Sequence, residues 1–377
     1  MTSKEAVHSN KFEIDPLLLS NFFLILILGL TAVMSSSVIH GEREFQDPYF
    51  YFKRQLLWFL FGIISFVLFS KIPYSLLLRF SFPLSLVSLI LLVLVFFPGL
   101  GKSVSTSYGR SFQRWIQIGG IQIQPSEFCK ITLLLFLTTF FRDLKPGEIF
   151  QRKNLVSIAL FVLTLVLIVM EPAFGTTVEI GLVILFFSII VGLSITRIVL
   201  VFFSLLPLAF VLVTQVGYRK KRLDIWLDPY KYKFDEGHQI VTSFRAFLDG
   251  GTFGNPIGSG FSHRYLAYSH TDFVMASFVE DFGFIGFIVF LALVLGLSYR
   301  IFDLAQKLKT KEAFLLSVGI LFLFDIQILM NLYVITGLVP VTGISLPLIS
   351  YGGSSLVTMM TLFGILSNVL KKENLAL

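Results

Sequence analysis

The sequence predicts an all-α integral membrane protein with about ten transmembrane helices. Three observations predict it. Hydrophobic residues make up 55% of the chain against 14% charged, and the mean hydropathy of +0.83 lies far outside the soluble range. Phenylalanine alone occurs 43 times. Apolar runs approaching the roughly 17–25 residues that cross a bilayer core of about 30 Å recur along the whole chain.

The runs fall at about 17–39, 55–70, 76–97, 126–142, 154–170, 176–194, 197–216, 278–299, 313–336 and 346–370. The first is too long for a signal-peptide h-region and lacks a clear A-x-A site. Polar sequence collects in two segments, about 99–125 and 217–277, so residues 1–377 read as one polytopic membrane domain. With the N-terminus inside, short loops on that side hold Arg142, Lys145, Arg152, Lys153, Arg300, Lys307, Lys309 and Lys311, and the opposite short loops hold about half as many cations. Both termini are therefore expected in the cytoplasm. The larger polar segment becomes an external loop between spans seven and eight. The net charge of +7 is mostly this bias, and its partner is anionic lipid rather than nucleic acid.

Cys129 is the single cysteine, and the five histidines match no zinc spacing. In the external loop, "HQIVTSFRAFLDGG" places Ile240, Phe244, Phe247 and Leu248 at helical spacing before a Gly250–Gly251 stop. It reads as an amphipathic helix on or in the membrane surface. The run Arg219, Lys220, Lys221 and Arg222 fits either headgroup attraction or docking of an anionic substrate.

Acids then stand beside a membrane-grade run in "YSHTDFVMASFVEDFGFIGF". Ser269-x-x-Asp272 fits a capping box, and the helix of span eight is expected to extend outward through 271–281. A cap explains only Asp272. Glu280 and Asp281 lie nearer the bilayer, where carboxylates face a protein interior or a wet cavity. In "QPSEFCK", Pro125 suits a first helical turn, and Glu127 and Lys130 form an i, i+3 pair. In "SYGGSS", Ser350, Gly352, Gly353 and Ser354 fit either a backbone cradle for a ligand or close helix packing.

Three stretches resemble the SEDS family, which includes FtsW, RodA and SpoVE. "HTDFVMASFVEDFGFIG" resembles its H-T-D-F segment, and "GRSFQRWIQIGGIQIQPSEFCKI" is similar to its R-W-I…Q-P-S-E-x-x-K segment. "NLYVITGLVPVTGISLPLISYGGSSL" resembles its third signature. The resemblance implies a peptidoglycan glycosyltransferase of the bacterial cytoplasmic membrane. It would polymerise lipid II at the outer face, with a class B penicillin-binding protein as transpeptidase partner and other divisome or elongasome proteins nearby. Asp272 takes the place of the essential family carboxylate. An acceptor hydroxyl needs a base, and a pyrophosphate leaving group needs charge neutralisation. Arg114, Lys130 or a divalent ion (magnesium or manganese) could supply the latter, with Glu127, Ser350, Gly352, Gly353 and Ser354 as further substrate contacts.

Two departures stand out. Tyr268 replaces a family glutamate, and "EPAFGT" replaces Q-P-D-x-G-T, moving a carboxylate to Glu171. Glu280, Asp281 or Glu171 are then the candidate helper acids. "GG-x-FG" and "YLxxxHTDF" lean towards the division-type FtsW branch, whereas "VPVTG" and "GILSN" lean towards the elongation-type RodA. Two other classes remain open: a lipid II flippase, and a non-enzymatic scaffold of cell-wall synthases.

Overall fold

An aspartate followed by proline is a strong helix start, and the chain uses it. In the computed structural model α1 runs Pro16–Phe45, with Asp15 accepting the Leu18 N–H at 2.9 Å. The structure describes residues 15–371 other than 98, 106–110, 120, 146–147, 150, 172, 198, 201–202, 205–216, 236 and 268. There follow α2 Phe50–Lys71, α3 Tyr74–Arg79, α4 Ser81–Leu94, β1 Gly101–Ser105, β2 Ser111–Ile118, β3 Ile121–Ile123 and α5 Pro125–Asp143. The rest are α6 Leu155–Met170, α7 Phe174–Ile190, α8 Gly217–Leu227, α9 His238–Gly250, α10 Phe261–Tyr265, α11 Val274–Ala305, α12 Lys311–Ile335 and α13 Gly353–Val369.

Every expected span except the seventh coincides with helix; residues 197–216 lie mostly outside the described residues. Among the described residues five helices are long and apolar enough to cross a membrane, and α4, α7 and α13 are shorter apolar ones. Large apolar side chains such as Leu57, Phe61, Ile64 and Leu68 of α2 point outward, as lipid-facing positions do.

Three expectations are refined. First, the helical membrane fold carries one small sheet: β1, β2 and β3 pair antiparallel in that order, with Ile118 paired to Ile121 and a φ of 59° at Gly119 between them. A Gly-Gly pair between alternating residues suits such a hairpin. Second, residues 346–352 do not belong to the last span. They end a non-helical segment, 337–352, that is buried at Ile344, Leu346, Leu348 and Ile349. A Cβ on Gly29 of α1 would strike the backbone of Leu348 and Ile349, so this segment lies against the middle of α1. Third, α9 ends at Gly250 as expected, but Leu248 is exposed, and Ile240, Ser243 and Ala246 are buried. The Ser243 hydroxyl donates to the Ile335 carbonyl at 2.9 Å, so the buried face of α9 lies across the end of α12.

Polar ties define the two ends of the bundle. At one end Asp15 pairs with Arg300 at 2.5 Å, Arg142 with Glu312 at 2.8 Å, and the Tyr74 N–H donates to Asn368 at 3.0 Å. The start of α1 and the end of α13 both lie here. At the other end are the sheet, the loop 266–273 and the segment 337–352. Between them Phe22, Phe66, Phe324 and Phe363 bring α1, α2, α12 and α13 together, with Phe22 and Phe363 centroids 4.6 Å apart. Gly62 and Gly364 let α2 and α13 pack closely.

The expected continuous helix through 271–299 is broken. Gly283 has φ 65° and ψ −169°, so α11 is two helical pieces. The freed N–H groups of Phe284 and Ile285 donate instead to the carbonyls of Gly251 and Thr252, at 2.9 and 3.2 Å. A Cβ at Gly283 would strike Gly254 and Thr252. Gly283→Ala should therefore cost on the order of 1–3 kcal/mol in backbone strain alone, plus the clash. Thermal unfolding of the purified variant in detergent measures it; an unchanged midpoint contradicts the account.

Candidate active site

The loop that carries Asp272 has almost no regular structure, so its shape depends on hydrogen bonds from elsewhere. The Tyr351 N–H donates to the His270 carbonyl at 2.8 Å, and the Ser350 hydroxyl donates to the Thr271 carbonyl at 2.7 Å. Asn331 of α12 donates to the Asp272 carbonyl at 2.8 Å and to the Ile344 carbonyl at 2.8 Å. Ser350 also accepts the Leu346 N–H at 2.8 Å, closing the turn in which Leu348 takes a left-handed φ of 66°. The Ser269 hydroxyl adds a bond to the Ser36 carbonyl of α1 at 3.0 Å. Three consecutive residues, 270–272, are thus held by α12 and the segment that follows it.

The Asp272 side chain projects over Gly343, where a Cβ would lie 3.5 Å from its Oδ2. Burial raises this carboxyl above the usual carboxylate range, and the Arg222 and Arg114 guanidiniums oppose that rise. Both arginines are also fixed. Arg222 of α8 donates to the Val341 carbonyl at 3.0 Å, and Arg114 of β2 donates through Nε to the Glu171 carbonyl at 3.1 Å. Arg219, three residues before Arg222 on the same helix face, donates to the Val169 carbonyl at 3.1 Å. One carboxylate therefore faces two anchored cations at one end of the bundle. His270 is not an acid–base partner: burial among aromatic rings, with a smaller effect of His40, pushes its pKa down to about 3.

Several expected contacts have other engagements. Lys130 is almost wholly buried and meets Glu127 at 3.0 Å, Glu179 at 3.0 Å and Gln327 at 3.3 Å. Three acceptors match the three ammonium donors, so Lys130 has none left for a pyrophosphate. Glu127 belongs to the same cluster. Glu280 accepts the Phe261 and Ser262 N–H groups, at 2.6 and 2.9 Å, and the Ser262 hydroxyl, which caps α10. Asp281 accepts from His263 at 2.8 Å, from the Gly258 N–H at 3.1 Å and from Ser35. Both are loop anchors and do not meet Asp272. Glu171 is closer to the site, but burial pushes its carboxyl up to about 8 against the opposing charge of Arg114, so it is neutral near pH 7.

The "SYGGSS" stretch is likewise used within the protein. The Gly352 N–H donates to Gln55 at 3.4 Å, and Ser354 accepts the Gln124 N–H at 3.1 Å. A Cβ on Gly353 would fall on the Trp58 indole. Tyr268 lies outside the described residues. Among the described residues no cluster of three His, Cys, Asp or Glu side chains gathers.

Sequence reasoning passed over Glu179, Gln327 and Gly343. It named Arg222 only within a run of four cations that fitted either headgroup attraction or an anionic substrate; the i, i+3 relation to Arg219 was the signal that could have singled it out. Gln327 and Asn331 stand four apart on α12 and hold the Ser345 and Ile344 carbonyls, at 2.9 and 2.8 Å.

The fold and the site together define a multi-pass membrane protein whose buried acid, flanked by arginines, sits among loops at one end of the bundle. The family model described as cell cycle protein, covering FtsW, RodA and SpoVE, matches residues 16–375, and the chain belongs to that family. It is 34% identical to the probable peptidoglycan glycosyltransferase FtsW of Trichlorobacter lovleyi, over 94% of each chain. It is 36% identical to stage V sporulation protein E of Bacillus subtilis, over 94% of this chain and 96% of that one. Among solved structures it resembles a chain of a peptidoglycan synthase complex, with TM-score 0.77 and 25% identity over 95% and 98% of the two chains. Thermus thermophilus RodA shares the fold, with TM-score 0.69 and 24% identity over 96% of this chain and 98% of that one.

The Lys130 cluster is open to a direct test. Lys130→Met leaves Glu127 and Glu179 without their cation and should cost about 3–5 kcal/mol. Adding Glu179→Gln should restore part of that loss. Thermal unfolding of both variants decides it; equal midpoints for the single variant and the native chain would remove the cluster's structural role.

Proposed function

We propose that this chain is a peptidoglycan glycosyltransferase. It polymerises lipid II at the outer face of the bacterial cytoplasmic membrane, with Asp272 as general base. The observation that carries the reading is the anchored Asp272 facing Arg114 and Arg222 at the end of the bundle away from both chain ends. The names of the relatives support the activity. The excess of Lys and Arg at the opposite end supports an outward-facing site with cytoplasmic termini.

In this mechanism the acceptor's 4-hydroxyl donates its proton to Asp272 as its oxygen attacks the anomeric carbon of the donor. The bond from that carbon to the pyrophosphate breaks, and undecaprenyl pyrophosphate leaves with the electron pair. No glycosyl-enzyme forms, so an α-linked donor yields a β-linked glycan. Arg114 and Arg222 neutralise the charge developing on the leaving group, and burial strengthens that effect by excluding water. Burial also makes the base stronger than an exposed carboxylate, which brings it nearer the operating pH. A class B penicillin-binding protein would crosslink the product, in keeping with the resemblance to one chain of a peptidoglycan synthase complex that coordinates polymerization and crosslinking. The FtsW and sporulation relatives favour a division-type role over elongation.

Purified protein with its transpeptidase, reconstituted free of other transglycosylases, should extend labelled lipid II into glycan. Asp272→Asn should lower the rate by about 10²–10⁴-fold with the fold intact. Polymer of normal length and yield from this variant returns Asp272 to a structural role. Lipid II movement across the bilayer without polymerisation would favour a flippase.

A pH profile tests the arginines. Asp272 acts in its ionised form, so activity falls as pH drops through its raised pKa. Arg222→Gln removes a charge that opposes that rise, so the pKa climbs further and the acidic limb moves to higher pH. An acidic limb that stays in place separates Arg222 from the base.

A further inference from the structure

A cavity of about 430 Å³ with both apolar and charged walls lies at the bundle end opposite Asp272. It is lined by Arg79 of α3, Ser81 and Phe82 of α4, Thr139 and Arg142 of α5, and Glu312 of α12. Its charged groups are not equally committed. Arg142 is held by Asp143 at 2.7 Å and Glu312 at 2.8 Å, which pins the end of α5 to the start of α12. Ser81 and Thr139 share a hydroxyl hydrogen bond of 3.1 Å. Arg79 makes no ion pair or hydrogen bond among the described residues, so its guanidinium is the uncommitted cation of the cavity.

The surroundings specify what such a cation meets. Leu76, Phe80 and Phe82 next to it are 45%, 51% and 40% exposed, and they sit where helices α3 and α4 begin. Apolar side chains exposed at a helix end beside a cation mark the level where acyl chains meet headgroups. We infer that this cavity binds the headgroup of an anionic glycerophospholipid, with phosphatidylglycerol as the matching chemistry. Arg79 holds the phosphodiester through its planar fork, and the acyl chains run along Phe82; the Ser81 and Thr139 hydroxyls are spent within the protein, Thr139 donating to the Phe136 carbonyl at 2.9 Å. Glu312 accepts a hydroxyl of the glycerol headgroup and repels headgroups that carry a carboxylate. The site lies far from Asp272 and does not depend on the proposed activity.

The test uses the full chain, transferred from phosphatidylglycerol-containing nanodiscs into detergent, with bound lipid counted by native mass spectrometry. The native chain should keep one phosphatidylglycerol and no phosphatidylcholine. Arg79→Ala should cut that retention about tenfold, Arg79→Lys should cut it less, and Lys71→Ala, a cation at the same end but outside the cavity, should leave it unchanged. Retention by Arg79→Ala equal to the native chain overturns the site. Equal loss in Lys71→Ala reduces it to diffuse surface attraction and overturns it as well. Displacement of the lipid by soluble glycerol phosphate at millimolar concentration overturns the assignment to a membrane lipid.

Discussion

Non-helical backbone inside a membrane protein must find hydrogen-bond partners within the protein, because hydrocarbon offers none. The segment 337–352 and the loop 266–273 are both irregular, and each satisfies the other. Ser350, Tyr351 and Asn331 supply donors to His270, Thr271, Asp272 and Ile344, and Gln327 supplies one to Ser345. A loop fixed at three successive carbonyls has little freedom left for the side chain between them. Preorganisation of Asp272 is thus a by-product of solving the backbone problem, and the left-handed Leu348 is strain that this network sustains.

Charge is handled in two separate ways. Around Lys130, two carboxyl groups and an amide take up all three ammonium donors deep between α5, α7 and α12, leaving none for a ligand. Around Asp272, two guanidiniums are tethered to backbone carbonyls, Arg222 to Val341 and Arg114 to Glu171. Gln327 joins the two arrangements, since it accepts from Lys130 and donates to the segment on which Asp272 rests.

The helices were legible because a membrane imposes length and apolarity together, and both survive in composition. Asp272 stood out through the resemblance of "HTDF" to the family segment, because as a lone acid at a span boundary it reads equally well as a helix cap. The β-hairpin at 111–123 was missed, although "QRWIQIGGIQIQ" alternates around a Gly-Gly turn, because the surrounding helical expectation absorbed it. Glu280 and Asp281 misled for a physical reason. A carboxylate that caps backbone N–H groups and one that takes a proton look identical in sequence, and only the partners at Phe261, Ser262 and Gly258 tell them apart. The break at Gly283 depends on carbonyls some 30 residues earlier, so no local pattern announces it.

The bonds that shape the Asp272 loop join residues 59 and 79 positions apart, and their later partners are Asn331 and Ser350. A ribosome that has delivered the loop has not yet delivered either anchor. The nascent protein must insert α12, lay down the buried segment and begin α13 before its acid has a defined posture. Biogenesis therefore imposes a safeguard: chains released early, or failing to insert their final hairpin, reach the membrane with the acid present but unarmed.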